Sequence, residues 1–235
     1  MSVIPDAAAA PGFAGFRPAA FAFLRGLAAH QTRDWFEAHR ADHETEVRAP
    51  MAALLVALSA ELARRGLPLR GDPQRSAFRI HRDVRFSRDK RPYKTHAGAT
   101  LTRDGRKMSQ GLLYVHVDPE GSFVAAGFHQ PAPGELQAIR EAIVAAPDMF
   151  RGMVDALARA GLDFGPDEDG LRRPPRGFAH VADPDLQAAL RRKSFIVRRA
   201  LPQAALGRPA LVATIADVAE AALPLLRFGW AALDD

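Results

Sequence analysis

The hydrophobic period of this chain changes twice along its length, and that change limits the fold more than any single motif. From Pro18 to Gly66 the apolar residues recur at three- and four-residue intervals, as on one face of a helix. Phe21, Leu24 and Ala28, with Phe23 and Leu27, mark a first helix that has Pro18 in its first turn, where a missing N–H is harmless. Thr32 is placed to cap a second helix, anchored by Trp35 and Phe36 and running to about Val47. Pro50 opens or kinks a third, in which Met51, Leu54, Leu55, Leu58 and Leu62 form one stripe ending at Gly66.

Short β-branched or aromatic runs then replace the helical period, at 78–80, 97–102, 112–117 and 122–128. Turn residues separate them, Arg103-Asp104-Gly105 and Asp118-Pro119-Glu120-Gly121, so 112–127 reads as an antiparallel hairpin. Helical spacing returns at 134–146 and 147–160, and 165–177 reads as a loop. A helix near 184–192, a strand at 194–198 and an amphipathic helix at 209–227 complete the chain. The pattern predicts a single α+β domain over 16–235: an antiparallel β-sheet packed with helices, a helical N-terminal section and a C-terminal amphipathic helix. Residues 1–15, with Pro5, Pro11 and Gly12 breaking an alanine run, are expected to form a flexible leader.

Composition removes several function classes. The 235 residues contain no cysteine, which excludes a disulfide scaffold, a thiolate zinc site, an iron–sulfur cluster and a cysteine nucleophile. No apolar run of membrane-spanning length is free of charge, since Glu61, Asp217 and Glu220 interrupt the best candidates, so no membrane partner is expected. The first cation is Arg17, too late for the basic start of a secretory signal, and a cytoplasmic location is expected.

Charge is the sharper clue. Residues 79–96 hold seven Lys/Arg and two Asp, which equals the whole net charge of +5. Arginine forks match phosphate or carboxylate oxygens, and Lys90 and Lys94 add point charges on mobile stems. Asp83 and Asp89 would stay ionised among these cations, while Phe86, Pro92 and Tyr93 anchor the loop or offer a stacking face. Three readings remain open: an anion site, a nonspecific nucleic-acid footprint, or a solvated loop with local Asp–Arg pairs.

The run Arg82-Asp-Val-Arg-Phe-Ser-Arg-Asp-Lys-Arg-Pro-Tyr-Lys94 resembles the signature of the uncharacterised family known as domain of unknown function 2461. The likeness extends to Gly15-Phe16, Phe23-Leu24, Asp34-Trp35-Phe36, Arg48-Ala49-Pro50, Tyr114-Val115-His116, the Gly127–Pro131 turn and Lys193-Ser194-Phe195. The resemblance implies an α+β fold and carries no established activity. One departure is the turn Phe128-His129-Gln130, where an aromatic next to the proline is expected.

Carried over by position, Arg82, Arg85, Lys90 and Lys94 are the candidate anion-binding residues, with Lys193 secondary. Asp83 and Asp89 are candidate bases and Tyr93 a candidate acid, if the protein is an enzyme. An ion pair of Arg82 with Asp83 that organises the loop is the competing account. His39, His43 and Glu46 share a helix face, and His116 and Asp118 point to one side of a strand near His129. Neither group shows a full ligand set, and no nucleotide-binding glycine loop is present, so no metal and no cofactor is expected. The expected partner is a small anionic ligand. Nucleic acid bound through the same loop, or an acidic protein docked there, are the alternatives.

Overall fold

The computed structural model describes residues 12–85 and 87–234. Of the expected leader, 1–11 lie outside the described residues. Phe13 is buried with its ring edge-on to Phe16, so packing begins by residue 13 rather than 16.

Helix α1 (Pro18–Ala29) buries Ala20, Phe21, Phe23, Leu24 and Leu27. Thr32 caps α2 (Arg33–Ala38), its hydroxyl accepting from Trp35 N–H at 3.3 Å. The expected single second helix is broken at His39. After the single turn α3 (Arg40–Asp42), a π-helical stretch, His43–Arg48, widens the helix before α4 (Ala49–Arg64). That stretch buries Glu46, whose carboxylate takes a two-pronged pair from Arg17 on the α1 side. The stripe Met51, Leu54, Leu55, Leu58 and Leu62 is buried along α4, each side chain worth roughly 1.5–3 kcal/mol when taken from water.

The sheet is an antiparallel meander in chain order: β1 (Ala97–Thr102), β2 (Leu112–Val117), β3 (Ser122–Phe128) and β4 (Phe195–Leu201). Between β3 and β4 the chain runs through α5 (Pro133–Ala145), α6 (Pro147–Arg159) and α7 (Pro184–Leu190). After β4 come α8 (Gln203–Leu206), α9 (Leu211–Ala221) and α10 (Leu223–Asp234). The expected helix over 209–227 is therefore two helices. Pro224 lacks an N–H and clashes with the preceding turn, which ends α9 and starts α10.

Pairing sets two unlike faces. Ala99, Leu101, Leu113, Val115, Val117, Val124, Ala126, Phe128, Phe195 and Val197 share one face and are buried, with α4, α9 and α10 against that side. The opposite face carries Tyr114, His116, Phe123, Ile196 and Arg198, all partly or fully exposed. Gly127 lets β3 and β4 approach: its φ is +134°, and a Cβ there would lie 2.0 Å from the Phe195 carbonyl oxygen.

Residues 78–80, expected as a strand, are irregular. The segment divides its hydrogen bonds between two partners, Phe78 N–H donating to Gly98 O and Ile80 O accepting from Lys94 N–H. Single bridges at Ala77↔Ala99 and His81↔Tyr93 result, with no continuous ladder. Among the described residues, no helix is long and apolar enough to cross a membrane.

Candidate functional site

The basic segment folds as a loop closed at its stem, where Arg82 N–H donates to Pro92 O at 2.8 Å and Lys94 N–H to Ile80 O at 2.7 Å. Crowded cations need nearby anions, and the two aspartates supply them. Asp89 accepts from Arg82 Nη1 at 2.6 Å and Arg91 Nη2 at 2.7 Å; Asp83 accepts from Arg85 Nη2 at 2.7 Å. Hydrogen bonds from Arg91 and Arg82 hold the Asp89 carboxyl well below the usual carboxylate range, and Arg85 lowers Asp83 in the same way. Arg82 thus pairs with Asp89, not with the adjacent Asp83. Lys90 Nζ donates to Val84 O at 3.0 Å. Tyr93 is buried at the stem, stacked on Phe36 with 4.7 Å between centroids, and its N–H donates to the Gln31 side chain. Phe86 lies outside the described residues. Lys193 is exposed beyond α7, its backbone N–H bonded to Asp167.

A different surface holds an opening of ligand size. On the uncovered sheet face a cavity of about 550 Å³ is floored by Leu112, Tyr114, Phe123, Ala125 and Ile196 and walled by Phe78, Lys94, His96, Met108, His129 and Arg198. No Asp or Glu is among its described lining residues. Lys94 Nζ sits 5.2 Å from the Phe78 ring centroid and Lys107 Nζ 4.4 Å, close enough for cation–π attraction. Both ammonium groups donate to backbone carbonyls, of Arg79 and Ala77, and neither forms an ion pair among the described residues. Burial lowers the pKa of each, and Lys94 further lowers that of Lys107. A smaller cavity, about 290 Å³, lies between the π-helical stretch and residues 73–81. Two of its charged groups, Arg48 and Glu44, already pair at 2.6 Å.

One end of the uncovered face gathers polar side chains. Alternation along β2 puts Tyr114 and His116 on one side, with Asp118 following. The Ala97↔Val117 register brings His96, just before β1, to the same end. Tyr114 Oη lies 3.1 Å from His116 Nδ1, and His116 Nε2 lies 3.5 Å from Asp118 Oδ2. The His96 and His116 ring centroids are 4.3 Å apart, and His116 stacks on Phe123 at 4.5 Å. Gly98 makes room for Tyr114, since a Cβ there would meet its hydroxyl at 2.5 Å. Burial pushes the His96 pKa down to about 4 and also lowers that of His116, while it raises that of Tyr114. One ligand atom from each of His96, His116 and Asp118 lies within 4.8 Å of the others, so this trio can hold a metal.

Of the eight residues singled out from sequence, Lys94 alone lines the sheet-face cavity; Arg82, Asp83, Arg85, Asp89, Lys90 and Tyr93 remain around the loop, and Lys193 is elsewhere. Sequence reasoning missed Phe78, Lys107 and Arg198 as neighbours, and His96 as a companion of His116. The alternation Leu112, Tyr114, His116, Asp118 was the visible signal. The helical trio His39, His43 and Glu46 is dispersed: His39 stacks on Trp35, His43 sits by Glu44, and Glu46 pairs with Arg17.

The family model described as "Conserved hypothetical protein (DUF2461)" matches residues 19–228. No curated protein and no solved structure matches the chain.

Proposed function

The chain belongs to the DUF2461 family of conserved hypothetical proteins, and we propose that it binds a small anionic ligand, a carboxylate or phosphate with an apolar body, in the cavity on the uncovered face of its sheet. The observation that carries this reading is the cavity's one-sided charge. Lys94 and Arg198 line it, Lys107 shares its Phe78 wall, and no acid stands among its described lining residues. Lys94 and Lys107 are partly buried without a carboxylate partner among the described residues, and a bound anion would supply that partner. Leu112, Phe123 and Ile196 supply an apolar floor for the remainder of that ligand, the usual composition of a small-molecule pocket. In this reading the Arg82–Asp89 and Arg85–Asp83 pairs shape the basic loop, and the loop presents Lys94.

The test is a thermal-shift and calorimetric screen with inorganic phosphate, phosphate monoesters, aliphatic and aromatic carboxylates, and a short oligonucleotide. A ligand at 100 times its dissociation constant adds about 2.7 kcal/mol to stability. Saturable binding of a carboxylate or phosphate that survives moderate salt and is lost in Lys94→Met/Arg198→Met supports the reading. Binding of the oligonucleotide alone, erased by salt, transfers the function to nucleic acid. Silence across the panel rejects both.

A further inference from the structure

We propose that His96, His116 and Asp118 form a binding site for a divalent transition-metal ion at the edge of the uncovered sheet face. The proposal goes beyond anion binding; it shares only His96 with the walls of that cavity, and neither His116 nor Asp118 lines it.

The donor set comes first. Two imidazoles and one carboxylate suit zinc and its first-row neighbours, and such three-ligand sites leave coordination positions open. With metal–ligand bonds of about 2.1 Å, tetrahedral geometry places donors about 3.4 Å apart. His116 Nε2 and Asp118 Oδ2 stand at 3.5 Å, and the ligand atoms of all three residues fall within 4.8 Å of one another.

The hydrogen bonding at His116 is the second observation. A metal-ligating histidine usually gives its other ring N–H to an oxygen, which fixes the tautomer. Tyr114 Oη occupies that place, 3.1 Å from Nδ1. The tautomer that donates Nδ1–H to Tyr114 Oη frees the Nε2 lone pair on the side of the Asp118 carboxylate, where a cation can bridge the two; the other tautomer closes the same gap with an Nε2–H hydrogen bond to Asp118. Phe123 stacks flat on the His116 ring and holds its plane, while Gly98 leaves the space in which Tyr114 reaches Nδ1.

Placement agrees with the geometry. His96 lines the cavity, so an ion held here adjoins the space assigned to the anion.

The experiment uses full-length protein stripped with a chelator and dialysed free of it. Zn2+ and Co2+ are titrated separately, with equilibrium dialysis and elemental analysis for stoichiometry and visible absorption for Co2+. One equivalent is expected in the wild type and in His180→Ala, an exposed histidine remote in sequence from the trio. His96→Gln, His116→Gln and Asp118→Asn should each lose that equivalent. Tyr114→Phe should weaken it about 10–100-fold without abolishing it. Circular dichroism verifies that each metal-free variant is folded. NMR of the wild type needs no variant: Co2+ should shift the ring-proton signals of His96 and His116 and leave His180 unmoved. The proposal is overturned if no stoichiometric ion binds, if the ion persists in His96→Gln/His116→Gln, or if the shifted signals belong to other histidines. Those results would mean that a direct His116–Asp118 contact satisfies the cluster.

Discussion

Arg82 reaches across seven residues to Asp89, donating at 2.6 Å to a carboxylate that also receives Arg91. The most cationic run of the chain thereby supplies its own counter-ions, and its conformation depends on them. Asp89→Asn should lower the melting temperature and weaken anion binding in the sheet-face cavity only through displacement of Lys94, by less than Lys94→Met does. Calorimetric titration of both proteins checks this, and an affinity lost with unchanged stability would put Asp89 in the ligand site.

Tyr93 separates packing from chemistry. It is 4% exposed and stacked on Phe36. Tyr93→Ala should cost about 3–5 kcal/mol, the usual range for an aromatic deleted from a core. Tyr93→Phe keeps the ring and should keep most of that stability. Urea denaturation of both variants measures the difference. A Tyr93→Phe protein that is stable yet unable to bind or turn over ligand would restore a chemical role for the hydroxyl.

Lys94 and Arg198 should dominate the affinity for an anion. A hydrogen bond to a charged group contributes about 1.5–3 kcal/mol, so Lys94→Met or Arg198→Met should weaken binding roughly 10–100-fold. Isothermal titration with the best anion from the screen supplies the number, and an unaffected affinity moves the ligand elsewhere.

Acid should loosen the contact between α4 and α9. Glu61 accepts from Arg64 and Arg65, and Arg65 also bonds Asp217 and Glu220 on α9. These hydrogen bonds bring the Glu61 pKa down to about 2, below the roughly 4.3 of an unfolded chain. Its stabilising contribution is therefore complete above the unfolded value and disappears as pH falls toward 2. Melting temperature against pH should decline less steeply in Glu61→Gln than in wild type over that interval. Parallel curves would show that Glu61 does not contribute.

Gly127→Ala tests the β3–β4 seam. The added Cβ would collide with the Phe195 carbonyl at a backbone angle that L side chains rarely adopt. A loss of more than about 1 kcal/mol in chemical denaturation is expected; a neutral result would mean that β4 can shift.

Much of this molecule was legible in its residues. Strand limits at 97–102, 112–117 and 122–128 followed from short alternating runs between turn residues, and these coincide with β1, β2 and β3. Residues 78–80 misled because their apolar run is shared between two backbone partners, and alternation cannot register a divided ladder. The final helix was split by Pro224, whose effect depends on whether neighbouring helices tolerate a bend.

What the chain determined by itself was local: helical and strand periods, a cation-rich loop, and Tyr114, His116 and Asp118 on one side of a strand. Short-range sterics and hydrophobic spacing suffice for these. Only the tertiary structure decided that Arg82 meets Asp89, that helices cover one sheet face, and that the β1–β2 register brings His96 beside His116 and Asp118. Those outcomes depend on contacts between distant segments, where burial of the α4, α9 and α10 stripes selects one face of the sheet and leaves the other, with its lysines and histidines, uncovered.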